Sequence, residues 1–330
     1  MIGWRSWHAA AGGVAIALAT SNMPVVAEPA WLTGVNLSSG ELNGGKTRVN
    51  FDYTYPSAAE IRYFAGRGFR VFRVPVLSDR LLGSSSAVTP DWAALMKVIA
   101  VANAAGAFVI LDLHQFGGMA GGLVGHDPQA TQAFATAWGT IAARLKERPN
   151  VIFGLMNEPN TQTPAEWRVG AEAGLQAIRA AGARQLVLVP GTAWDGAHSW
   201  VSSGNAAALA DLKDPAGNMA FEVHQYLDVD NSGTHPEVVT GSGATRLAAF
   251  TGWARAHHAR GFLGEFGFAP TPEAMKEGAD LLAHIKTNRD VWLGWTYWAA
   301  GAWWGTYMFS VEPSKNGSDK PQIAVLEQWK

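Results

Sequence analysis

The 330-residue sequence has no cysteine, so disulfides are excluded and the fold must be held by its core. Charge of one sign is also lacking. Lys and Arg number 25 against 27 Asp and Glu, a formal net charge of -2, so no broad basic field points to nucleic acid or to an anionic membrane surface. A neutral ligand fits this balance better. No apolar run is long enough for a comfortable membrane span; the Ala-rich stretch from Ala9 to Ala19 is too short and is followed by the polar Thr20-Ser21-Asn22. There is no Pro/Ser-rich linker, internal repeat or heptad tract, and no second domain is expected after the last strand. The glycine-rich run Gly117 to Gly125 lacks the following Lys-Ser/Thr pair of a phosphate cradle and is expected to border a cleft.

What is present begins with an export signal. Arg5 and His8 precede the Ala9 to Ala19 stretch, and Pro24 leads into the cleavage-like Val25-Val26-Ala27. Residues 1–27 are therefore expected to be removed, leaving residues 28–330 as one domain in a secreted or periplasmic protein; an uncleaved N-terminal anchor is the alternative. Hydrophobic residues make up 48 % of the chain, ample for a large core. Tryptophan is abundant, 15 residues against 6 tyrosines. Indole rings stack well on apolar sugar faces, although packing in the core accounts for most buried Trp.

From Trp31 onward, short apolar runs alternate with helical patterns, as in βα units around a parallel sheet. Eight runs are found: 32–36, 70–74, 108–113, 151–156, 186–189, 219–224, 262–264 and 292–298. Helices are expected over 56–66, 91–105, 129–147, 164–181, 244–259 and 272–289, with only a short one near 206–211 after the fifth run. Gly66 and Gly106 suit left-handed positions after helices, and Pro164 and Pro272 suit first turns. Eight such units predict a (β/α)8 TIM barrel forming a single α/β domain.

In such a barrel the chemistry sits where strands end. The fourth run is followed by Asn157-Glu158-Pro159 and the seventh by Glu265. Two glutamates at one end of a barrel can flank a glycosidic bond, one protonating the leaving oxygen and the other attacking or activating water. A strand-end Glu can equally satisfy backbone donors or pair with an Arg.

The run from Val151 to Asn160, VIFGLMNEPN, resembles the signature of glycoside hydrolase family 5, closest to the endoglucanases that include the fungal cellulase-system enzymes. Phe72-Arg73-Val74-Pro75, Asp112-Leu113-His114 and the stretch from Val223 to His235 support the resemblance, which extends over nearly the whole mature chain. It implies a retaining endo-β-1,4-glucanase acting on soluble or amorphous cellulose-like chains, with Glu158 as acid/base and Glu265 as nucleophile. A β-mannanase or a mixed-linkage or xyloglucan-directed glucanase shares the same barrel and acid pair. A non-catalytic carbohydrate-binding barrel is the reading of another class, and both carboxylates being present speaks against it. The carboxyl groups of retaining enzymes lie roughly 5 to 5.5 Å apart, which is the expected separation.

Around this pair, Asn157 is expected to hold the sugar 2-hydroxyl, and Arg73 and Tyr226 to bond Glu265, with Arg73 keeping it ionised. Burial is expected to raise the proton affinity of Glu158. His114 and His224 are read as sugar-binding or acid/base-tuning groups, and Trp298 matches the family's sugar platform with Trp194 as a second aromatic candidate. Trp31, Trp303 and Trp304 are left between packing and binding. A metal held by His114, His224 and His235 is disfavoured for want of HExxH or close Cys/His spacing, so no metal or cofactor is expected. The expected partner is a β-glucan chain, with no nucleic acid, no membrane after cleavage, and a monomeric protein.

Overall fold

A computed structural model describes residues 1, 3, 31–83, 89–119 and 122–330; the export segment expected at 1–27 lies almost wholly outside them. Eight parallel strands close into a barrel: β1 (Leu32–Leu37), β2 (Val71–Val76), β3 (Phe108–Leu113), β6 (Val151–Gly154), β7 (Val187–Pro190), β8 (Met219–His224), β9 (Gly261–Glu265) and β10 (Trp292–Ala300), with β10 returning to β1. Each corresponds to one predicted run. The glycine-rich segment forms a two-stranded hairpin, β4 (Gly118–Met119) and β5 (Gly122–Leu123).

The helices expected from sequence are α1 (Ala58–Gly66), α3 (Asp91–Ala104), α4 (Pro128–Leu145), α5 (Pro164–Ala180), α7 (Ser242–Ala256) and α8 (Pro272–Thr287). Their starts are chemically specified. Ser57 with Glu60, and Thr163 with Glu166, form reciprocal capping boxes, and Asp127 and Thr271 cap α4 and α8 ahead of a proline in the first turn. Helix ends differ more from the sequence expectation. Gly66 is the last residue of α1, and it is Gly68 that takes the left-handed conformation (φ 93°), while Gly106 does so as expected (φ 68°). The short helix of the fifth unit, α6 (Asn205–Ala208), starts just before its expected place; α2 (Ser78–Leu81) and α9 (Gln322–Leu326) were not anticipated.

Side chains two apart on a strand share a face. Leu32, Val71, Ile110, Ile152, Leu188, Ala220 and Phe262 form a separate buried cluster that fills the lower barrel. Two residues further along, on the same inner face, stand Arg73, Asp112 and Glu222, all fully buried. The intervening strand faces pack outward against the helices in the main core. Room for this ionic layer comes from glycine: a Cβ on Gly264 would lie 2.1 Å from Glu222 Oε1. Among the described residues, no helix is long and apolar enough to cross a membrane.

Candidate active site

Both glutamates predicted at strand ends stand at the C-terminal mouth of the barrel. After β6 the chain stays laddered to its neighbours, with Leu155 N donating to Leu188 O and Asn157 N to Leu113 O, and this carries Glu158 over the rim. Glu265 closes β9, where the β8–β9 register slips by one residue between Val223 and His224. One carboxylate oxygen of Glu158, one of Glu265 and a ring nitrogen of His224 all lie within 4.8 Å of one another. That is close enough for both carboxyl groups to reach one anomeric carbon, in keeping with the short spacing of retaining enzymes.

The two carboxylates have different partners. Glu265 is buried; Arg73 Nη1 donates to its Oε1 at 2.9 Å and the Tyr226 hydroxyl donates to Oε2 at 2.8 Å. Burial pushes this carboxyl up from its ordinary value, and the charges on His224 and Arg73 pull it back toward ionisation. Glu158 is half-buried, and its Oε1 lies 2.8 Å from His224 Nδ1. Burial works against a charged His224, yet Glu265, Glu158 and Glu222 around it outweigh that and hold it well above the usual imidazole value. Tyr226 is likewise pushed up by burial and by Glu265, so it stays a donor.

Arg73 is the hub beneath both. Nε donates to Glu222 Oε1 (2.9 Å), Nη1 also to Asn36 Oδ1 (3.0 Å), and Nη2 to Asn157 Oδ1 (2.8 Å), with Asp112 Oδ1 at 3.2 Å. Burial would lower its pKa, but Asp112, Glu222 and Glu265 outweigh that and raise it. With Oδ1 committed to Arg73, Asn157 is left with a buried Nδ2 that has no partner among the described residues, so the amide is oriented to donate to a ligand hydroxyl. Sequence reasoning missed Asn36, Glu222 and the carboxylate of Asp112 as members of this layer. Their signal was a polar residue at an inward position of an otherwise apolar strand.

An aromatic ribbon crosses the mouth. Trp194 meets Phe116 edge-on at 6.0 Å, Phe116 meets His114 at 5.3 Å, His114 stacks on Trp298 at 5.8 Å and 14°, and Trp298 meets Trp304 at 5.4 Å. His114 is held by Asp112, its Nδ1 lying 2.8 Å from Oδ2, a bond that keeps its pKa raised despite burial. A cleft of about 1350 Å³ opens on the His114–Trp298–Trp304 side and is bordered by Gly118 and Gly122 of the hairpin, as the glycine-rich run implied. A second hollow of about 490 Å³ lies on the other side, lined by Glu158, Trp194, His224 and Tyr226. Trp194 is 57 % exposed although large and apolar, the signature of a contact surface. Phe116, 41 % exposed in a left-handed turn (φ 53°), was not anticipated. Trp31 instead packs at the base, its indole bonded to Trp329 O and facing Lys286 and Arg289. His114, His224 and His235 have separate partners: Asp112 for the first, Glu158 for the second, and Asp228 and Asp230 for the third.

A parallel barrel whose mouth presents two glutamates this close, one on an arginine and a tyrosine and the other on a histidine, defines the class of enzymes that cleave glycosidic bonds between two carboxyl groups. The comparisons with known proteins narrow that class. The family model for cellulase (glycosyl hydrolase family 5) matches residues 31–301, and the chain belongs to that family. Endoglucanase gh5-1 of Neurospora crassa is 37 % identical over 85 % of this chain and 72 % of its own length. A probable endo-beta-1,4-glucanase B of Neosartorya fischeri is 33 % identical over 97 % of both. Among solved structures, XacCel5A in complex with cellopentaose superposes with a TM-score of 0.88 at 43 % identity, covering 91 % of this chain and 99 % of that one. The endo-beta-1,4-glucanase Xac0029 of Xanthomonas axonopodis pv. citri gives 0.87 at 41 % identity, covering 90 % and 97 %.

Proposed function

We propose that the chain hydrolyses internal β-1,4 bonds of soluble or amorphous cellulose-like glucans with retention of configuration. The observation that carries the mechanism is the oxygens of Glu158 and Glu265 lying within 4.8 Å. In the first step Glu265 attacks the anomeric carbon while Glu158 passes its proton to the departing glycosidic oxygen. Water then gives its proton to Glu158 as it attacks the same carbon and releases Glu265. Arg73 and Tyr226 orient the nucleophile, and Asn157 Nδ2 is free to hold the 2-hydroxyl, a bond that strengthens as charge develops at the ring.

Because the proton must be delivered on the leaving-group side, the hollow shared by Glu158 and Trp194 is assigned to the departing sugar. The larger cleft along His114 and Trp298 then holds the retained part of the chain. Room on both sides of the pair supports cleavage within a chain, and the relatives' endoglucanase names favour glucan over mannan. Anomeric proton NMR during hydrolysis of cellopentaose should show β-product first, with carboxymethyl cellulose losing viscosity faster than it gains reducing ends. Initial α-product, or a preference for mannan over glucan, would overturn the assignment. Export is part of the proposal: removal of residues 1–27 leaves a protein beginning at Glu28, which N-terminal sequencing of the exported form reads, and an intact Met1 refutes it.

A further inference from the structure

After β7, three consecutive non-glycine residues, Ala193, Trp194 and Asp195, have φ of 57°, 60° and 57°, and Glu158 itself has φ 43°. Left-handed backbone of this kind persists only where its surroundings hold it. The holding contacts converge on Asp195. Its buried Oδ2 accepts the Glu158 N–H at 3.2 Å, and its carbonyl accepts the His224 N–H at 2.8 Å. Trp194 N donates to Pro159 O at 3.4 Å, and Ala197 N to His224 O at 3.0 Å. One residue thus grips the backbones of both Glu158 and the histidine that bonds its carboxyl.

The charges around it are unbalanced. Fully ionised, Asp112, Glu158, Asp195, Glu222 and Glu265 carry five negative charges, against three on Arg73, His114 and His224 when both imidazoles are charged. Protons on two carboxyls balance the cluster, and a buried site strongly favours balance. One belongs to Glu158, whose step requires it. Of the other four, three touch Arg73 and Asp195 does not. The titratable groups facing Asp195 are Glu158 after β6 and His224 and Glu222 on β8; burial pushes its carboxyl well above the ordinary range, with His224 opposing and the two glutamates adding to the rise.

We propose that Asp195 is a positioning residue for the acid/base: as a neutral carboxylic acid it holds the Glu158 amide, keeping the Glu158 side chain on His224 and over the glycosidic oxygen beside Trp194. This rests on Glu158 being the proton donor, so the test separates the two claims. It compares kcat/KM, which reports the steps through the covalent intermediate, for cellotetraose, whose leaving group needs a proton, and for 2,4-dinitrophenyl β-cellobioside, whose leaving group does not.

Glu158→Ala should lose about 10²-fold or more on cellotetraose and little on the aryl glycoside; equal losses on both would show that Glu158 is not the donor. With that control in place, Asp195→Ala should lose about 10- to 100-fold on cellotetraose and less than about 3-fold on the aryl glycoside. Asp195→Asn, which keeps the acceptor and lacks the charge, should recover most of the loss and leave the alkaline limb of the pH profile in place. Equal losses of Asp195→Ala on both substrates, or none on cellotetraose, overturn the proposal, as does an alkaline limb moved by Asp195→Asn. A second measurement needs no alanine variant. A carboxyl whose folded pKa lies above its ordinary 3.8 lends its full stability below that pH and loses it as pH rises toward the folded value. The Tm of Asp195→Asn relative to wild type should therefore climb steadily above pH 4, and a flat difference would mean the carboxyl is not held neutral.

Discussion

Glu265→Gln is expected to abolish hydrolysis of cellopentaose and carboxymethyl cellulose, a loss of about 10⁴-fold or more in kcat, because the amide keeps the shape of the site and cannot form the glycosyl ester. The fold should survive. The amide oxygen still accepts from Arg73 Nη1 or the Tyr226 hydroxyl, which bond the carboxylate in the wild type, and Arg73 keeps Glu222 and Asp112 as counter-charges. Stability should even rise at neutral pH. Burial raises the folded pKa of Glu265 above its ordinary 4.5, so the native state binds that proton more tightly than the unfolded chain does. Its stability is then fully present below about pH 4.5 and declines as pH increases. Gln removes the decline. The Tm of Glu265→Gln should equal or exceed that of wild type at pH 7, with the margin closing as pH falls below 5. Residual activity near wild type would remove Glu265 from the mechanism, and a Tm far below wild type at every pH would show the carboxylate to be part of the scaffold.

That expectation follows from how the inner barrel face is written into the chain. Arg73 and His224 were legible as site residues because each stands near the end of an apolar run, in stretches that resemble the family, and Arg73 also lies two positions after the inward-facing Val71. Glu222 was passed over even so. A single charge within Met219 to His224 does not declare whether it points to solvent or to the barrel axis until the register with β9 is known. The strand-end glutamates were legible for the opposite reason: position at a βα junction suffices, and closure of the barrel supplies the proximity. Asp195 and Phe116 were not, since both depend on left-handed turns that the surrounding residues impose and that no local pattern encodes. The misplaced end of α1, where Gly68 and not Gly66 turns left-handed, is a milder case of the same thing.

Arg73 should be the least replaceable residue in the chain. Its planar fork makes four side-chain hydrogen bonds, to Glu222, Asn36, Glu265 and Asn157, while Asp112 lies at 3.2 Å. Lysine keeps one charge but offers a compact ammonium with three donors on a flexible stem, which cannot span acceptors on five different elements of the barrel. Arg73→Lys should therefore leave one or two buried carboxylates poorly paired and lower the Tm by about 10 °C, from a loss of about 3 to 5 kcal/mol. Its kcat should fall by about 10²- to 10³-fold, because Glu265 and Asn157 lose a common anchor and a shift of about 1 Å suffices for that. Arg73→Met removes the charge altogether and strands Asp112, Glu222 and Glu265 together in the interior. Each then favours its proton in the native state, so the stability of this variant should fall as pH rises and recover toward pH 4. Circular dichroism melts between pH 4 and pH 8 read the effect. A methionine variant that melts with wild type at pH 8 would mean that the layer does not depend on the charge of Arg73.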